Sequence, residues 1–352
     1  MRIYFDVSTL NPQKVTGVGV YMLQLLEHFS QEKDLEVHPA VKISRYKNKK
    51  NIESILPGRK AESFLPLKWS SDGLYHGPDF KLNVKGFLPR IVTIHDMIVF
   101  EEKYNRPEFF LKGIRDMTNV LNSSVDAVIV NSLFTKSQVL KYFPQLEDRL
   151  HLTYLGCNRS RMAGQGPSLG LPEKYILFLA TLEKRKNVLG VIRAFEALKV
   201  QGFEEKLVLA GAWGFGAEEI QRALESSPFK NDIIHLNYVP TEKLSELYQR
   251  ARVFFFPSWY EGFGIPVLEA MSLGTPVVTS AGGVLEEISG DAASLVDPGS
   301  PTEMAAALSR VLTDQAYREA LIQKGLKQAP RFTWEKCAQD TVEVYKKVLG
   351  RS

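Results

Sequence analysis

Two glutamates separated by seven residues, Glu261 and Glu269, bracket the densest group of potentially chemical side chains, within Pro257–Gly274 (PSWYEGFGIPVLEAMSLG). The segment follows Val253–Phe256, an apolar run that reads as a buried strand, so it lies where open α/β sheets bind ligands, at a strand's C-terminal end. Gly262 and Gly264 let the backbone approach a ligand, and Pro266 suits the first turn of a helix running to about Leu273, with Gly274 just past its end. Unpaired amides around Phe263–Val267 would receive an anion such as phosphate. Helical side chains lean toward the N-terminus, so Glu269 can reach past those amides to hydroxyls on the same ligand. A carboxylate near a helix start can instead simply cap it, which is the alternative for Glu261. Glu269 sits among Val267, Leu268, Ala270 and Met271 and needs a partner for a buried charge.

A second cluster, Glu183, Lys184, Arg185, Lys186 and Asn187, lies between a strand at Tyr175–Ala180 and a helix carrying Val188, Val191, Ile192 and Phe195. Cations at a helix N-terminus oppose its dipole by about 0.3–1 kcal/mol each, and a bound diphosphate would reverse that sign. Arg grips such a group through paired hydrogen bonds and Lys as a point charge. An exposed basic turn is the alternative reading and applies to Lys184. Gly17 and Gly19, in Thr16–Tyr21, again open a helix where phosphate could approach, although a plain glycine turn reads equally well. A dinucleotide fingerprint fails there, because Met22 occupies the third glycine's place and ten residues separate Asp6 from Gly17. His95 and Asp96 end a strand at Ile91–His95, where an imidazole can bond sugar hydroxyls or exchange protons; a satisfied structural histidine is the alternative. His76 reads as structural. The six His and two Cys show no metal-ligand spacing, and no metal or other cofactor is expected.

These groups need elements to hold them at strand ends. Short apolar runs alternate with helical patterns, as in βαβ units with buried parallel sheets. Strands are predicted at Arg2–Val7, Leu35–Ile43, Ile91–His95, Val125–Asn131 and Leu150–Leu155. Val18, Tyr21, Met22, Leu25, Leu26 and Phe29 form a helical stripe, and helices follow near Pro107–Asn122 and Ser132–Phe143. A Gly/Pro-rich linker spans Gly156–Pro172. A second series has strands at Tyr175–Ala180, Lys206–Gly211, Ile233–Leu236, Val253–Phe256 and Pro276–Thr279. Ser300, Pro301 and Glu303 read as a capping box, and Thr333 caps a long closing helix. The fold class is α/β with two Rossmann-like halves, as 352 residues exceed one comfortable core.

A mean hydropathy of −0.14 and no uncharged apolar run near the roughly 18 residues that cross a bilayer argue against a membrane span. Two cysteines and an N-terminus without a signal-peptide stretch fit a reducing cytoplasm. The net charge of +4 is too small to suggest nucleic acid, but it is uneven. Residues 1–165 carry 23 basic and 17 acidic side chains, a net +6, and the remainder carries −2. Lys42, Arg45, Lys47, Lys49, Lys50, Arg59 and Lys60 are opposed within their stretch by Glu53 alone. That 42–60 region is either a solvated loop or a surface attracted to an anionic membrane or phosphorylated acceptor.

Together these residues resemble the GT-B glycosyltransferases, and within them glycosyltransferase family 4, a retaining group that uses nucleotide sugars. Glu261–Glu269 (EGFGIPVLE) matches the family's glutamate, seven residues, glutamate motif, and Ala180–Asn187 (ATLEKRKN) is similar to its GTLEPRKN element. The resemblance implies that Arg185 and Lys186 bind the donor diphosphate, Glu269 the ribose, and Glu261 the sugar near its reacting carbon. It implies that Gly262, Phe263 and Gly264 touch sugar or phosphate and that Tyr238 and Val239 lie beside the base. Gly17 and Gly19 resemble the loop that closes over the phosphates, and His95 the histidine that orients the sugar. The chain departs from the pattern with Gly-Val-Gly in that loop, Lys184 for proline and Ala180 for glycine.

The same resemblance implies two domains facing across a deep crevice: an acceptor domain at 1–165, joined by a crossover helix in 332–352, and a donor domain at 172–330. The expected reaction moves a hexose from a nucleotide-diphosphate sugar, GDP-mannose by the context of the motif, to a hydroxyl of a glycan or lipid-linked acceptor, in the cytoplasm or peripherally at the inner face of the membrane. A UDP-sugar donor, an inactive binding scaffold and a non-transferase relative such as an epimerase or phosphorylase are the alternatives. The charged residues that a dead scaffold would lose are all present.

Overall fold

The computed structural model describes residues 1–13, 15–58, 60–63, 73–82, 89–104, 107–157 and 169–350. The chain forms two compact units, one made of Met1–Phe100, Pro107–Gly156 and Thr333–Ser352, the other of Glu101–Arg106 and Cys157–Phe332. Most of the linker expected over Gly156–Pro172 lies outside the described residues, as does Arg59 of the basic stretch.

The first unit holds strands β1 (Arg2–Asp6), β2 (Glu36–Val41), β3 (Glu62–Ser63), β4 (Gly73–Gly77), β5 (Arg90–Ile94), β6 (Ala127–Val130) and β7 (Leu150–Leu152), with helices α1 (Gly17–Phe29), α2 (Lys49–Glu53), α3 (Pro107–Leu121) and α4 (Leu133–Tyr142). The strands are all parallel, in the order β3-β2-β1-β4-β5-β6-β7. Parallel pairing requires crossovers over both faces, which is why β6 (AVIV) is wholly apolar and buried and β5 (RIVTI) is buried at every residue after Arg90. The sequence pattern does not mark the short elements α2 and β3, and β4 and β7 depart from it. β4 (GLYHG) has neither alternation nor an apolar run, yet all five residues are buried between β1 and β5. A Cβ on Gly77 would lie 2.5 Å from the Lys81 carbonyl, so only glycine fits there. The strand expected over Leu150–Leu155 stops at Leu152 because its partner β6 ends opposite it.

The second unit repeats the design with β8 (Tyr175–Leu179), β9 (Lys206–Ala210), β10 (Ile233–Leu236), β11 (Val253–Phe256), β12 (Val277–Ser280) and β13 (Ser294–Val296) in the parallel order β10-β9-β8-β11-β12-β13. Helices α5 (Val188–Val200), α6 (Ala217–Ser226), α7 (Leu244–Gln249), α8 (Ile265–Ser272), α9 (Gly283–Ser289), α10 (Pro301–Thr313) and α11 (Gln315–Gln328) connect or flank these strands. Phe178, Phe254 and Phe256 stack at 5.5–5.9 Å in its core. The capping box at α10 is only half formed: Ser300 accepts from the Glu303 amide at 3.2 Å, but the Glu303 carboxylate turns to the Asp297 amide.

Helix α12 (Trp334–Val348), capped by Thr333, belongs to the first unit and packs on α1. Tyr345 of α12 meets His76 of β4 at 2.6 Å, and the other ring nitrogen meets Thr93 at 2.8 Å. His76 is fully buried, so it is structural and ties the end of the chain into the sheet. Among the described residues no helix is long and apolar enough to cross a membrane.

Burial, with help from the neighbouring His95, holds the His76 imidazole down at about 3 against its ordinary 6.5. The folded value is the lower one, so this contribution to stability is complete above about pH 6.5. It drains as the pH falls toward 3, at up to about 1.4 kcal/mol per unit. Thermal unfolding at about pH 7.5 and about pH 5 should show the wild type losing roughly 1 kcal/mol or more beyond what His76→Gln loses. Equal acid sensitivity of the two proteins would contradict this assignment.

Candidate active site

Strands β8 and β11 are hydrogen-bonded neighbours at the centre of the second sheet, and the chain leaves them in opposite directions, toward β9 and toward β12. Such a switch point leaves a gap beyond the strand ends. The segments that follow β8 and β11 are Glu183–Asn187 and Pro257–Gly264, so topology alone brings the two charged motifs together. The Trp259 amide donates to the Arg185 carbonyl at 2.9 Å and locks one segment against the other. Asn187 adopts a left-handed conformation, φ 59°, which Asn tolerates better than most residues. It holds that turn by donating its amide to the Pro257 and Pro298 carbonyls at 3.0 and 2.8 Å.

The result is a compact charge cluster. Lys186 Nζ lies 2.5 Å from Glu261 Oε1, and Arg185 lies 3.3 Å from Glu261 Oε2 and 2.6 Å from Glu183. Lys186 and Glu261 are 9% and 8% exposed, so water screens their attraction little. Burial alone would push the Glu261 carboxyl up, but the charges of Lys186 and Arg185 outweigh it and hold the group below the ordinary carboxylate range. Burial lowers the Lys186 ammonium, and the Glu261 carboxylate opposes that effect. Each group thus favours the charged form of the other. Glu261 is an ion-pair partner rather than a helix cap, and two of the cations before α5, Arg185 and Lys186, already have carboxylate partners. Lys184 is exposed, at the rim of a cavity of about 210 Å³ also lined by Arg193, Glu219 and Trp259.

Helix α8 begins after Gly264, whose φ of 108° is a glycine conformation, and no side chain caps it. Phe263 is buried edge-to-face on Phe332 at 5.9 Å, so this loop is anchored from below. Glu269, one turn into α8, is half-buried and accepts from the Tyr248 hydroxyl at 2.9 Å. Burial pushes its carboxyl up, with the Tyr248 bond opposing the shift in part. Sequence reasoning missed Tyr248, because nothing in its six-residue helix α7 marks it for chemistry. Tyr238 and Val239 follow β10 in the same unit, Tyr238 being 78% exposed.

In the first unit, α1 starts at Gly17, with the Thr16 hydroxyl accepting from the Gly19 amide. Space around Gly17 is open, whereas a Cβ on Gly19 would press on Val15 at 3.1 Å. His95 follows β5; it meets the Pro78 carbonyl at 2.9 Å and lies edge-to-face with Tyr21 of α1 at 4.8 Å. His95 and the glycine turn thus share the C-terminal edge of one sheet. No group of three or more His, Cys, Asp or Glu able to hold a metal ion occurs among the described residues.

Residues 166–328 match the sequence model for glycosyl transferases group 1. The chain is 32% identical to the O-antigen chain mannosyltransferase B of Escherichia coli, over 98% of this chain and 100% of that one. Its fold is similar to that of sucrose-phosphate synthase from Thermosynechococcus elongatus, with a TM-score of 0.78, 21% identity and 100% of both chains covered. It is also similar to HepE of Anabaena, solved with UDP and glucose, at a TM-score of 0.76 and 18% identity over 99% and 100% of the two chains. The two parallel sheets are those of a GT-B enzyme. With a relative matched over nearly its whole length, and with Arg185, Lys186, Glu261 and Glu269 inside the matched segment, the chain belongs to the group 1 glycosyltransferases.

Proposed function

We propose that the enzyme transfers a hexose, with retention as in family 4, from a nucleotide-diphosphate sugar to a hydroxyl of a glycan or lipid-linked acceptor, and that the donor is GDP-mannose. The observation that carries the site assignment is the buried Lys186–Arg185–Glu261 cluster. The mannosyl preference rests on the similarity to the O-antigen mannosyltransferase. In this reading the diphosphate shares the two cations with Glu261 and accepts from the α8 amides. As the sugar–phosphate bond breaks, the cations and amides stabilise the leaving group. The acceptor oxygen bonds to the anomeric carbon on the same face, and its proton passes to the departing phosphate. Glu261 contacts the sugar without forming a bond to it; a glycosyl adduct trapped on Glu261 would overturn that step. Tyr238 and Val239 are assigned to the base, Gly262, Phe263 and Gly264 to sugar and phosphate, and Glu269 to the ribose. Gly17 and Gly19 are assigned to phosphate contacts, and His95 to a sugar hydroxyl. No metal is needed in this scheme.

Truncating one member of a buried, hydrogen-bonded charge pair costs about 2 kcal/mol or more, roughly 30-fold in affinity. Lys186→Ala should weaken donor binding by at least about that factor, measured calorimetrically against a panel of GDP, UDP and ADP sugars. Unchanged binding of every donor would refute the site, and binding of UDP but not GDP would refute the donor assignment alone.

The acceptor side includes a surface suited to an anionic membrane. Lys42, Lys47, Lys50 and Lys60 have no carboxylate partner among the described residues, Glu53 being taken by Lys49 at 3.7 Å and the Ala61 amide. In their midst Ile43 is 62% exposed on the turn after β2, at the same end of the sheet as His95. Each such lysine is worth about 1 kcal/mol at an anionic surface. The protein should therefore co-sediment with phosphatidylglycerol-containing vesicles but not with phosphatidylcholine alone. Changing the four lysines to glutamine should cut that binding by about tenfold or more, and equal sedimentation of both proteins would refute the contact.

A further inference from the structure

We propose that Tyr248 is a positioning residue for Glu269: its hydroxyl occupies Oε2 and fixes the carboxylate's rotation, so that Oε1 is presented to the donor's ribose hydroxyls. The inference rests on the reading that Glu269 is the ribose ligand. Tyr248 Oη lies 2.9 Å from Oε2, which identifies the oxygen that is taken. Oε1 accepts no hydrogen bond from the described residues and is not among their buried unpaired atoms, so it keeps some exposure.

Tyr248 cannot shift to follow a ligand. It is fully buried, its ring meets Phe254 edge-on at 5.3 Å, and its carbonyl accepts from the Thr275 hydroxyl at 2.8 Å. A rigid donor therefore sets the orientation of a carboxylate that would otherwise rotate about its last bond. The bond also favours the ionised form, the only form in which both carboxylate oxygens accept. Burial works against that form at Glu269, and equally raises the Tyr248 hydroxyl well above its ordinary range, so Tyr248 remains a donor. The other titratable group facing the carboxylate is the Cys157 thiol. Burial, then the charge of Glu269, pushes it up to about 11, so it stays neutral near pH 7.

The test is the ratio of affinities for GDP and 2′-deoxy-GDP, and for UDP and 2′-deoxy-UDP, measured by calorimetry across pH. Both members of a pair carry the same diphosphate, so its titration cancels and the ratio reports the grip on the hydroxyl. The wild-type ratio should fall as the pH drops through a range above that of an ordinary glutamate. In Tyr248→Phe, which keeps the ring in its place, the ratio at pH 7 should be smaller, and its fall should move up by about one pH unit. A wild-type ratio and pH course in a Tyr248→Phe protein of near-native melting temperature would overturn the positioning role. Glu269→Gln separates the two ideas. Loss of the ratio there supports Glu269 as the ribose ligand, whatever Tyr248 does; a retained ratio would remove the reading on which the proposal rests.

Discussion

The contact between Lys186 and Glu261 joins two segments 75 residues apart and sets the character of everything around it. Bringing two charges out of water costs several kcal/mol per ion before their attraction is counted, and an apolar pair of the same volume would often be as stable. Stability alone is thus a weak reason for the pair. What the pair does is hold a cation and a carboxylate at one depth, with Arg185 as a second cation bridging Glu261 to Glu183. Two positive and two negative charges cancel locally. An anionic ligand can enter such a site by exchanging partners with charges already desolvated, instead of drawing them out of water.

That contact depends on the sheet rather than on local sequence. In a parallel sheet every strand delivers its successor loop to the same edge, and a reversal of strand order places two such loops side by side. β8 and β11 satisfy this condition in the second unit, and β1 and β4 in the first. The first unit gives up part of that edge to structure. His76, on β4, spends both ring nitrogens on Thr93 and Tyr345. His95, just after the next strand, meets the Pro78 carbonyl through one ring nitrogen and the Tyr21 ring edge-to-face.

Much of this was legible in the amino-acid order, for identifiable reasons. Buried parallel strands leave unbroken apolar runs, so β8 and β11 stand out, and charged residues immediately after such runs announce themselves. β4 did not, because its fitness lies in what surrounds it: glycines at Gly73 and Gly77 accommodate neighbouring backbone, a property of packing and not of pattern. The charge balance was also out of reach. Read along the chain, Lys184, Arg185 and Lys186 are a block of cations facing a helix dipole; only the fold shows that Glu261, far along the sequence, neutralises two of them. Tyr248 was silent for the same reason, since its partner Glu269 lies on another helix.

Glu261 and Glu269 sit in opposite electrostatic settings, though eight positions apart and both within reach of one helix start. Glu261, faced by two cations, is held below the ordinary range despite its burial; Glu269 is pushed above it by burial, which the Tyr248 bond opposes only in part. Environments that drive paired carboxyls apart assign them different work. In the proposed reaction, a carboxylate favoured in its ionised form beside two cations suits charge that develops as a bond breaks. A carboxylate with no cation of its own gains more from neutral hydroxyl donors, because each one offsets desolvation that no counter-charge relieves. Glu269 already has one such donor in Tyr248, and in the proposed assignment a ribose hydroxyl is the second.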